Sequence, residues 1–375
     1  MEPLTVTLYQ PLTGSARAQL LSEWQFGVRE VSAELTTAID AGYDTATIRA
    51  PAVFGGMPLY TLLQGRADIE PFAHVDVRLG EAIVWQGLVT TYLMDRLALA
   101  GLGCVGYGRG LRHQAWSGGA GTALTVLQSL IRDTAPFVDL GPDSLVVDPG
   151  FDLTAEQTKS LTLPDLVRAI NENGSLQGYP VACQVWDGPN GPQVVIVPRI
   201  PPAEPDIVIS PDDPGLTIND IDLDALINRV QVSNGATTIT HPANDAEIDM
   251  GVLSIVRTET VTLDSKATAS QMEAYARAHL AAYSRLRVSG SWRTTERLPT
   301  PSGARVPPAS VRAGGWALVP GVGMLQIVRT TYTYPAGEWS CEFGALSPNE
   351  QMARQIQGLA ISSYRYLNPL TWLRV

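Results

Sequence analysis

Residues 73–89 read AHVDVRLGEAIVWQGLV, and this stretch decides the fold class. Apolar residues alternate with polar ones over 73–79, which is the pattern of a strand with one covered face. Gly80-Glu81 then fits a tight turn, and 82–89 returns as a second strand. The stretch therefore predicts a β-hairpin that packs one face onto a core.

The composition extends this prediction to the rest of the chain. The 375 residues are 45% apolar and 17% charged, which is typical of a globular protein. A chain of this length forms roughly two to four domains. The 27 prolines and 34 glycines are spread along the sequence, so frequent turns favour many short strands over long helices.

Three segments have the apolar spacing of helices instead. Apolar residues recur at helical spacing after Thr122, until Pro136 ends the run. A second helix is predicted over 163–171 with Thr162 as its N-cap, and a third over 270–283. We therefore predict a β-rich α+β protein in which mixed units interrupt strand-rich regions.

The glycine-rich stretch 101–121 is the most flexible part of the sequence by composition. No Gly-Lys-Ser or Gly-Lys-Thr follows these glycines, so they do not form a phosphate-binding loop. We interpret the stretch as a flexible connection between two domains.

A short internal repeat links the two strand-rich regions. Residues 85–92 align without gaps with 325–332, and one glutamine, two threonines and one tyrosine match. The alignment gives two pairs of equivalent assembly or core candidates, Trp85 with Leu325 and Tyr92 with Tyr332.

The net charge of −11 argues against a surface for nucleic acid phosphates or anionic lipids, since such surfaces need clustered Lys and Arg. No apolar run reaches the ~20 residues that span a bilayer. Residues 1–6 lack the basic and apolar parts of a signal peptide. We expect a chain made in the cytoplasm, with no membrane partner and no stable nucleic acid binding.

No sequence pattern predicts catalysis, a metal or a cofactor. The four histidines lack HxxxH spacing, the three cysteines are far apart, and no Gly-x-Ser-x-Gly elbow occurs. The aspartates of 220–224 begin like a calcium loop, but Ala225 and Gln231 stand where glycine and glutamate are required. We therefore predict no catalytic residue, no cofactor-binding residue, no metal site and no enzyme activity.

Several segments resemble those of a known family. Four segments are similar to parts of the tail-hub proteins of tailed phages and contractile injection systems. They are the hairpin 77–89, the Asn-Arg-Val segment 226–232, and the closing segments 319–329 and 338–343. The order of strand-rich and mixed units along most of the chain also resembles that family.

The resemblance implies two similar β-barrel domains of the tail-tube type, with two inserted or peripheral mixed α+β domains. The predicted parts are a first barrel 1–117, an inserted domain 118–204, a second barrel 205–235 with 306–347, a peripheral domain 236–305, and a C-terminal docking tail 348–375.

The resemblance also implies a function. Hubs of this family form a homotrimeric ring that adapts the six-fold tail tube to a three-fold tip and surrounds the channel for DNA. The implied partners are further copies of the chain, a distal tail or tail tube protein, a tape measure protein, and a tip, spike or receptor-binding protein. The implied location is the tail tip of the virion.

The last residues of the sequence are rich in aromatic side chains, which dominate protein interfaces when they are buried. We expect this segment to be a docking arm. Its candidate assembly residues are Tyr364, Tyr366 and Trp372.

Two other functions stay open from the sequence. The eight tryptophans are able to supply sugar-stacking platforms, so the alternative is a carbohydrate-binding adhesin module that recognises the host surface from the tail tip. A hydrolase built from scattered carboxylates is the third reading, and no motif supports it.

Overall fold

The chain is described from a computed structural model. The structure describes residues 2–9, 20–26, 31–50, 53–54, 57–58, 73–95, 98–111, 116–176, 179–189, 191–219, 226–249, 255–263, 265, 267–284 and 289–344.

Strands dominate the described residues, and helices are few. In the first third the elements are β1 (Leu4–Tyr9), β2 (Leu20–Phe26), β3 (Ser32–Ala38), β4 (Gly42–Arg49), β5 (Val53–Phe54), β6 (Met57–Pro58), β7 (His74–Leu79), β8 (Ala82–Asp95) and β9 (Ala98–Val105). The middle holds α1 (Tyr107–Gly110), β10 (Gly121–Thr122), α2 (Ala123–Thr134), β11 (Asp139–Leu140), β12 (Asp152–Leu153), α3 (Ala155–Thr158), α4 (Leu163–Asn173), β13 (Ser175–Leu176), β14 (Tyr179–Gly188) and β15 (Gly191–Pro198).

The last third is also built mainly of short strands, with one long helix among its described residues. Its elements are β16 (Ile207–Val208), β17 (Leu216–Ile218), β18 (Arg229–Ser233), β19 (Thr238–His241), β20 (Thr258–Thr262), α5 (Ala269–Tyr283), β21 (Gly290–Thr294), β22 (Leu298–Pro299), β23 (Arg305–Val306), β24 (Trp316–Val319), β25 (Gly323–Tyr334) and β26 (Glu338–Phe343).

The predicted hairpin is confirmed as β7 and β8. Val77 lies opposite Trp85 across the hairpin, and Gly80 makes the turn with a φ of 61° that favours glycine. Val75, Val77 and Trp85 are fully buried, but His74, Asp76 and Gln86 on the opposite face are buried as well. Both faces of the hairpin are therefore covered, rather than the single face that the alternating pattern predicted.

One sheet joins the two ends of the chain. Seventeen of the described strands belong to it, which confirms the β-rich class. From one edge to the other, its main path runs β2, β1, β7, β8, β9, β4, β3, β25, β26, β21 and β17. β24 and β16 extend it from the first half of β25. A single apolar core lies under strands from both ends, including Trp85, Trp292 and Trp339.

The predicted helices are confirmed, with one change of boundary. The Thr122 side chain accepts a hydrogen bond from the Thr125 N–H at the start of α2, and Thr162 with Asp165 closes a capping box at α4. α5 begins at Ala269, one residue before the predicted start, because Thr268 supplies its N-terminal cap. Among the described residues, no helix is both long and apolar enough to cross a membrane.

The prediction of a flexible connection over 101–121 is wrong for its first half. Gly101 and Gly103 lie inside β9, and a Cβ on Gly101 would stand 2.1 Å from the Ile48 carbonyl oxygen. A Cβ on Gly106 would stand 1.7 Å from the Tyr43 carbonyl oxygen. These glycines are needed because two backbones approach closely.

The division into barrels and inserted domains stays a prediction, but strand pairing moves two of its boundaries. β18, predicted to re-enter the second barrel, pairs with β19 and β20. The reason is that its Val230 and Val232 are covered by α5. β21, predicted in the peripheral domain, pairs with β26 and β17 because Trp292 packs edge-on against Trp339 in the large core.

Candidate assembly surface

The two repeat segments lie on strands that make the same kind of pairing. β8 pairs through its first half with the preceding strand β7 and through its second half with the following strand β9. β25 pairs in the same way with β24 and then β26. Both segments are therefore the middle strand of a three-stranded meander.

The register of the two meanders also agrees. Trp85 lies opposite Val77, and Leu325 lies opposite Ala317, so each partner stands the same number of positions earlier in the chain. The next residue in each segment, Gln86 or Gln326, is buried. A chance similarity of sequence does not require equal pairing, so the repeat has a structural counterpart.

The candidate residues divide into described and undescribed groups. Trp85, Leu325 and Tyr332 are buried in the shared core. Tyr92 is part of β8, but its side chain is outside the described residues. The three aromatic candidates of the C-terminal tail, Tyr364, Tyr366 and Trp372, also lie outside the described residues.

The two meanders point in the same direction. β9, β4 and β3 connect β8 to β25, and every step is antiparallel. Four antiparallel steps make β8 and β25 parallel, so both hairpin turns lie at the same end of the sheet. At a strand spacing of ~4.8 Å, the turns are about 19 Å apart along the sheet.

These two turns, Gly80–Glu81 and Pro320–Val322, are called the hairpin tips. Glu81 is exposed, and Val322 is 40% exposed. A Cβ built on Gly321 meets no atom within 4 Å, so the second tip projects into open space. The first tip is less open, since the Gly80 N–H donates to the Pro3 carbonyl oxygen at 3.2 Å and a Cβ on Gly80 would meet the Glu2 side chain at 2.8 Å. One end of the sheet thus carries two hairpin turns, of which the second projects further.

The side of the sheet away from the core carries hydroxyl groups and charges of both signs. Glu34 and Arg49 are exposed on neighbouring strands β3 and β4. The Arg293 guanidinium lies 3.1 Å from the Glu338 carboxylate, and Arg329 lies opposite Glu342 across β25 and β26. Because positive and negative charges alternate, these strands form no basic patch.

Arg312 joins the mixed middle unit to strands β4 and β8. The Arg312 guanidinium lies 5.0 Å from the centre of the Tyr43 ring and 5.2 Å from that of Trp186. It donates to the Asp187 carboxylate at 2.6 Å and to the Ile83 carbonyl oxygen at 3.0 Å. We call these five residues the Arg312 junction.

The Tyr43 phenol completes the junction. It donates to the same Asp187 carboxylate at 2.5 Å. Burial raises the pKa of Tyr43 well above its ordinary value, while the nearby Arg312 charge opposes that rise. The phenol therefore stays protonated and keeps its hydrogen bond. This site was not predictable from the sequence, because Arg312 belongs to no periodic segment and its partners are distant in the chain.

The described residues contain few groups suited to chemistry. No cluster of three His, Cys, Asp or Glu side chains in the described ranges is arranged to hold a metal. Cys104, Cys183 and Cys341 are buried, and burial raises the pKa of the Cys104 thiol to about 12. Thiols with so little thiolate are poor nucleophiles.

His279 takes part in a network of side chains. Its Nε2 lies 2.9 Å from the Glu259 carboxylate, and its Nδ1 lies 3.1 Å from the Tyr275 hydroxyl. The ring also packs against Tyr283 at 4.5 Å between ring centres. These contacts tie α5 to β20, and the group opens onto no described cavity, so we assign it a structural role.

The described tryptophans act mainly in packing. Trp85, Trp292 and Trp339 are buried in the large core, and Trp116 is buried beside α2. The ring of Trp186 is covered by Arg312. These rings are not exposed as platforms on which a sugar stacks.

No protein-family model matches the sequence, and no curated protein matches it. The fold does match solved structures. The crystal structure of the 43 kDa tail protein of prophage MuSo2 from Shewanella oneidensis gives a TM-score of 0.57 at 10% identity, over 93% of this chain and 99% of that chain. The tail protein from Neisseria meningitidis MC58 gives 0.51 at 12% identity, over 91% and 96%.

Both comparisons span nearly the full length of both proteins. The resemblance to tail proteins that the sequence suggested is therefore confirmed at the level of the fold.

Proposed function

From the fold that it shares with these two tail proteins, we propose that this chain is a structural hub at the tip of a phage tail. In this proposal three copies form a ring that joins a six-fold tail tube to a three-fold tip. The observation that carries the proposal is the pair of meanders with equal register and tips at one end. Six tube subunits make equivalent contacts with a three-fold ring only if each ring subunit supplies two equivalent surfaces.

The proposal includes two similar barrels in each subunit. The first contains β7, β8, β9, β4 and β3, and the second contains β24, β25, β26, β21 and β17. Within each set the strands are neighbours in the same order, and every pairing is antiparallel. This correspondence supports a duplicated unit, and it assigns each strand a counterpart.

The hairpin tips are the surfaces that we assign to the tail tube or distal tail protein. Each carries an exposed residue, Glu81 or Val322, and both are directed to one end of the sheet. The tape measure protein and the tip, spike or receptor-binding protein are the other proposed partners, so that the ring sits in the tail tip of the virion.

We assign the lumen of the ring to the side of the sheet that faces away from the core. The charges there alternate in sign, and the whole chain is acidic. Phosphate groups bind where Arg and Lys cluster. A lumen of this kind lets DNA pass without retaining it, and we propose no catalytic role for the chain.

The proposed docking tail gives a prediction of its own. Deleting 359–375 removes Tyr364, Tyr366 and Trp372 and should weaken assembly with other tail proteins, because buried aromatic anchors dominate interfaces. The subunit should stay folded if this segment acts only in docking, since the described core is formed by residues from Leu4 to Phe343. Co-sedimentation with tail particles measures the loss, and unchanged assembly of a folded truncated protein would rule out the docking role.

Mass in solution tests the proposed hub against the adhesin alternative. We expect light scattering to give three times the subunit mass of 40.2 kDa. Negative-stain images should show a ring with a central hole, and a glycan array should give no binding. A monomer that binds a defined glycan would replace the hub with the adhesin.

A further inference from the structure

The chain already shows how one meander closes onto a neighbouring strand. β24 covers one edge of β25 along its first half only. β3 takes the remaining half of the same edge, and it pairs antiparallel through Arg329–Tyr334. The contact is reinforced where the Thr37 and Thr330 hydroxyls lie 2.7 Å apart. β3 therefore fills the edge that the hairpin leaves open.

The equivalent edge of β8 is open among the described strands. β7 covers its first half, from Ala82 to Leu88, and no described strand pairs with the same edge beyond that point. Thr90 and Thr91 on this half are exposed. Because β8 corresponds to β25, we expect this edge to pair with a strand that is equivalent to β3.

The strand that corresponds to β3 is β17. In the first set of strands, Leu35 of β3 pairs with Ala46 of β4, which pairs with Cys104 of β9. In the second set, Leu216 of β17 pairs with Trp292 of β21, which pairs with Cys341 of β26. β17 pairs with β21 on one edge, and no described strand pairs with its other edge.

The free edge of β17 carries exposed groups. Thr217 is exposed, and Ile218 is 36% exposed. The Gly215 carbonyl and the Asn219 N–H both bond toward the β21 side. Since backbone groups alternate in direction along a strand, those of Ile218 point away from β21. An unpaired edge with an exposed isoleucine is suited to adding a strand.

These two edges do not pair with each other within the described part of one subunit, where β8 and β17 stand at opposite ends of the path β8, β9, β4, β3, β25, β26, β21 and β17. A second copy of the chain brings them together head to tail. An interface of two different patches, when it is repeated, closes into a ring if the rotation between neighbouring subunits divides a full turn.

We propose that β17 of each subunit pairs antiparallel with the second half of β8 in the next subunit of the ring. Transfer of the β3–β25 register sets Leu216 opposite Tyr92 of the partner subunit, Thr217 opposite Thr91 of the partner subunit, and Ile218 opposite Thr90 of the partner subunit. This interface rests on the proposed trimeric ring and names the strands that hold it together.

A cysteine pair tests the register directly. Thr217 and Thr91 are both exposed, so Thr217→Cys with Thr91→Cys disturbs no core. Residues directly opposite in an antiparallel pair have Cβ atoms ~4.5–5.5 Å apart, close to the distance that a disulfide spans. Mild oxidation of the full chain should give a covalent trimer on a non-reducing gel, because each subunit is linked to both neighbours.

The controls use the same chemistry elsewhere. Thr217→Cys alone, and Thr217→Cys with Thr260→Cys on the exposed face of β20, should give no covalent trimer. The native thiols are buried and should not react. A trimer by mass that fails to cross-link through 217 and 91 would overturn this interface and leave the proposed ring standing. A monomer by mass would overturn both.

A charge on the edge gives an independent measurement. Ile218→Lys should raise the concentration at which the trimer dissociates by about tenfold or more, because it puts a charge into a strand pair. Val256→Lys, at an exposed valine that belongs to none of the proposed surfaces, should leave that concentration unchanged. Equal effects of the two variants would contradict the assignment of the edge.

Discussion

Replacing Trp85 by alanine is expected to lower the free energy of unfolding by about 3–5 kcal/mol. Trp85 is fully buried on β8 and is among the largest side chains in the core. Its ring packs against Tyr43 at 6.2 Å and fills space beside Gly87, where an added Cβ would meet the indole at 2.4 Å. The loss combines removed apolar contact with a cavity that the surrounding strands cannot close.

Urea denaturation followed by far-UV circular dichroism measures this change. Trp316→Ala is the matched control, because Trp316 lies on β24 and is only partly buried. It should cost clearly less than Trp85→Ala. Equal costs would show that the β7–β8 hairpin does not anchor the core in the way that the burial of Trp85 indicates.

Replacing Arg312 by alanine is the second large effect, and we expect a loss of about 2–3 kcal/mol. The change removes the cation from between Tyr43 and Trp186 and leaves the Asp187 carboxylate without its ion-pair partner. It also removes the donor to the Ile83 carbonyl. Because one side chain holds three segments together, no neighbouring group replaces it.

An exposed ion pair provides the control for Arg312. The Arg305 guanidinium lies 3.1 Å from the Glu296 carboxylate, and both side chains are more than half exposed. Pairs of this kind contribute about 0–1 kcal/mol, so Arg305→Ala should have little effect. The same denaturation measurement decides the matter, and an Arg312→Ala variant as stable as Arg305→Ala would mean that the junction does not stabilise the fold.

The hairpin and the helices were predictable because their signals are local. Alternating apolar residues, a glycine turn and threonine caps act within a few residues of one another. The same holds for the repeat, since Gln86 and Gln326 stand at equivalent places in two strands. Local patterns therefore located the parts from which the proposed assembly surface is built.

The way in which the parts join was not predictable from the sequence. The pairing of β3 with β25 brings together residues that are almost three hundred positions apart. Nothing in the sequence of either strand identifies the strand with which it pairs. The pairing of β21 with β26 was not predictable for the same reason, because it depends on the contact between Trp292 and Trp339, which are distant in the chain. Glycines required by close backbone contact also look like flexible glycines in a sequence.

A cryo-electron microscopy map of the purified protein, reconstructed without imposed symmetry, tests the central claim most directly. The account predicts three copies around one axis, with β8 and β25 at alternating and equivalent positions and all hairpin tips on one face. It also predicts a continuous sheet across each subunit boundary. A map that shows a monomer, another symmetry, or β8 and β25 at different distances from the axis would contradict it.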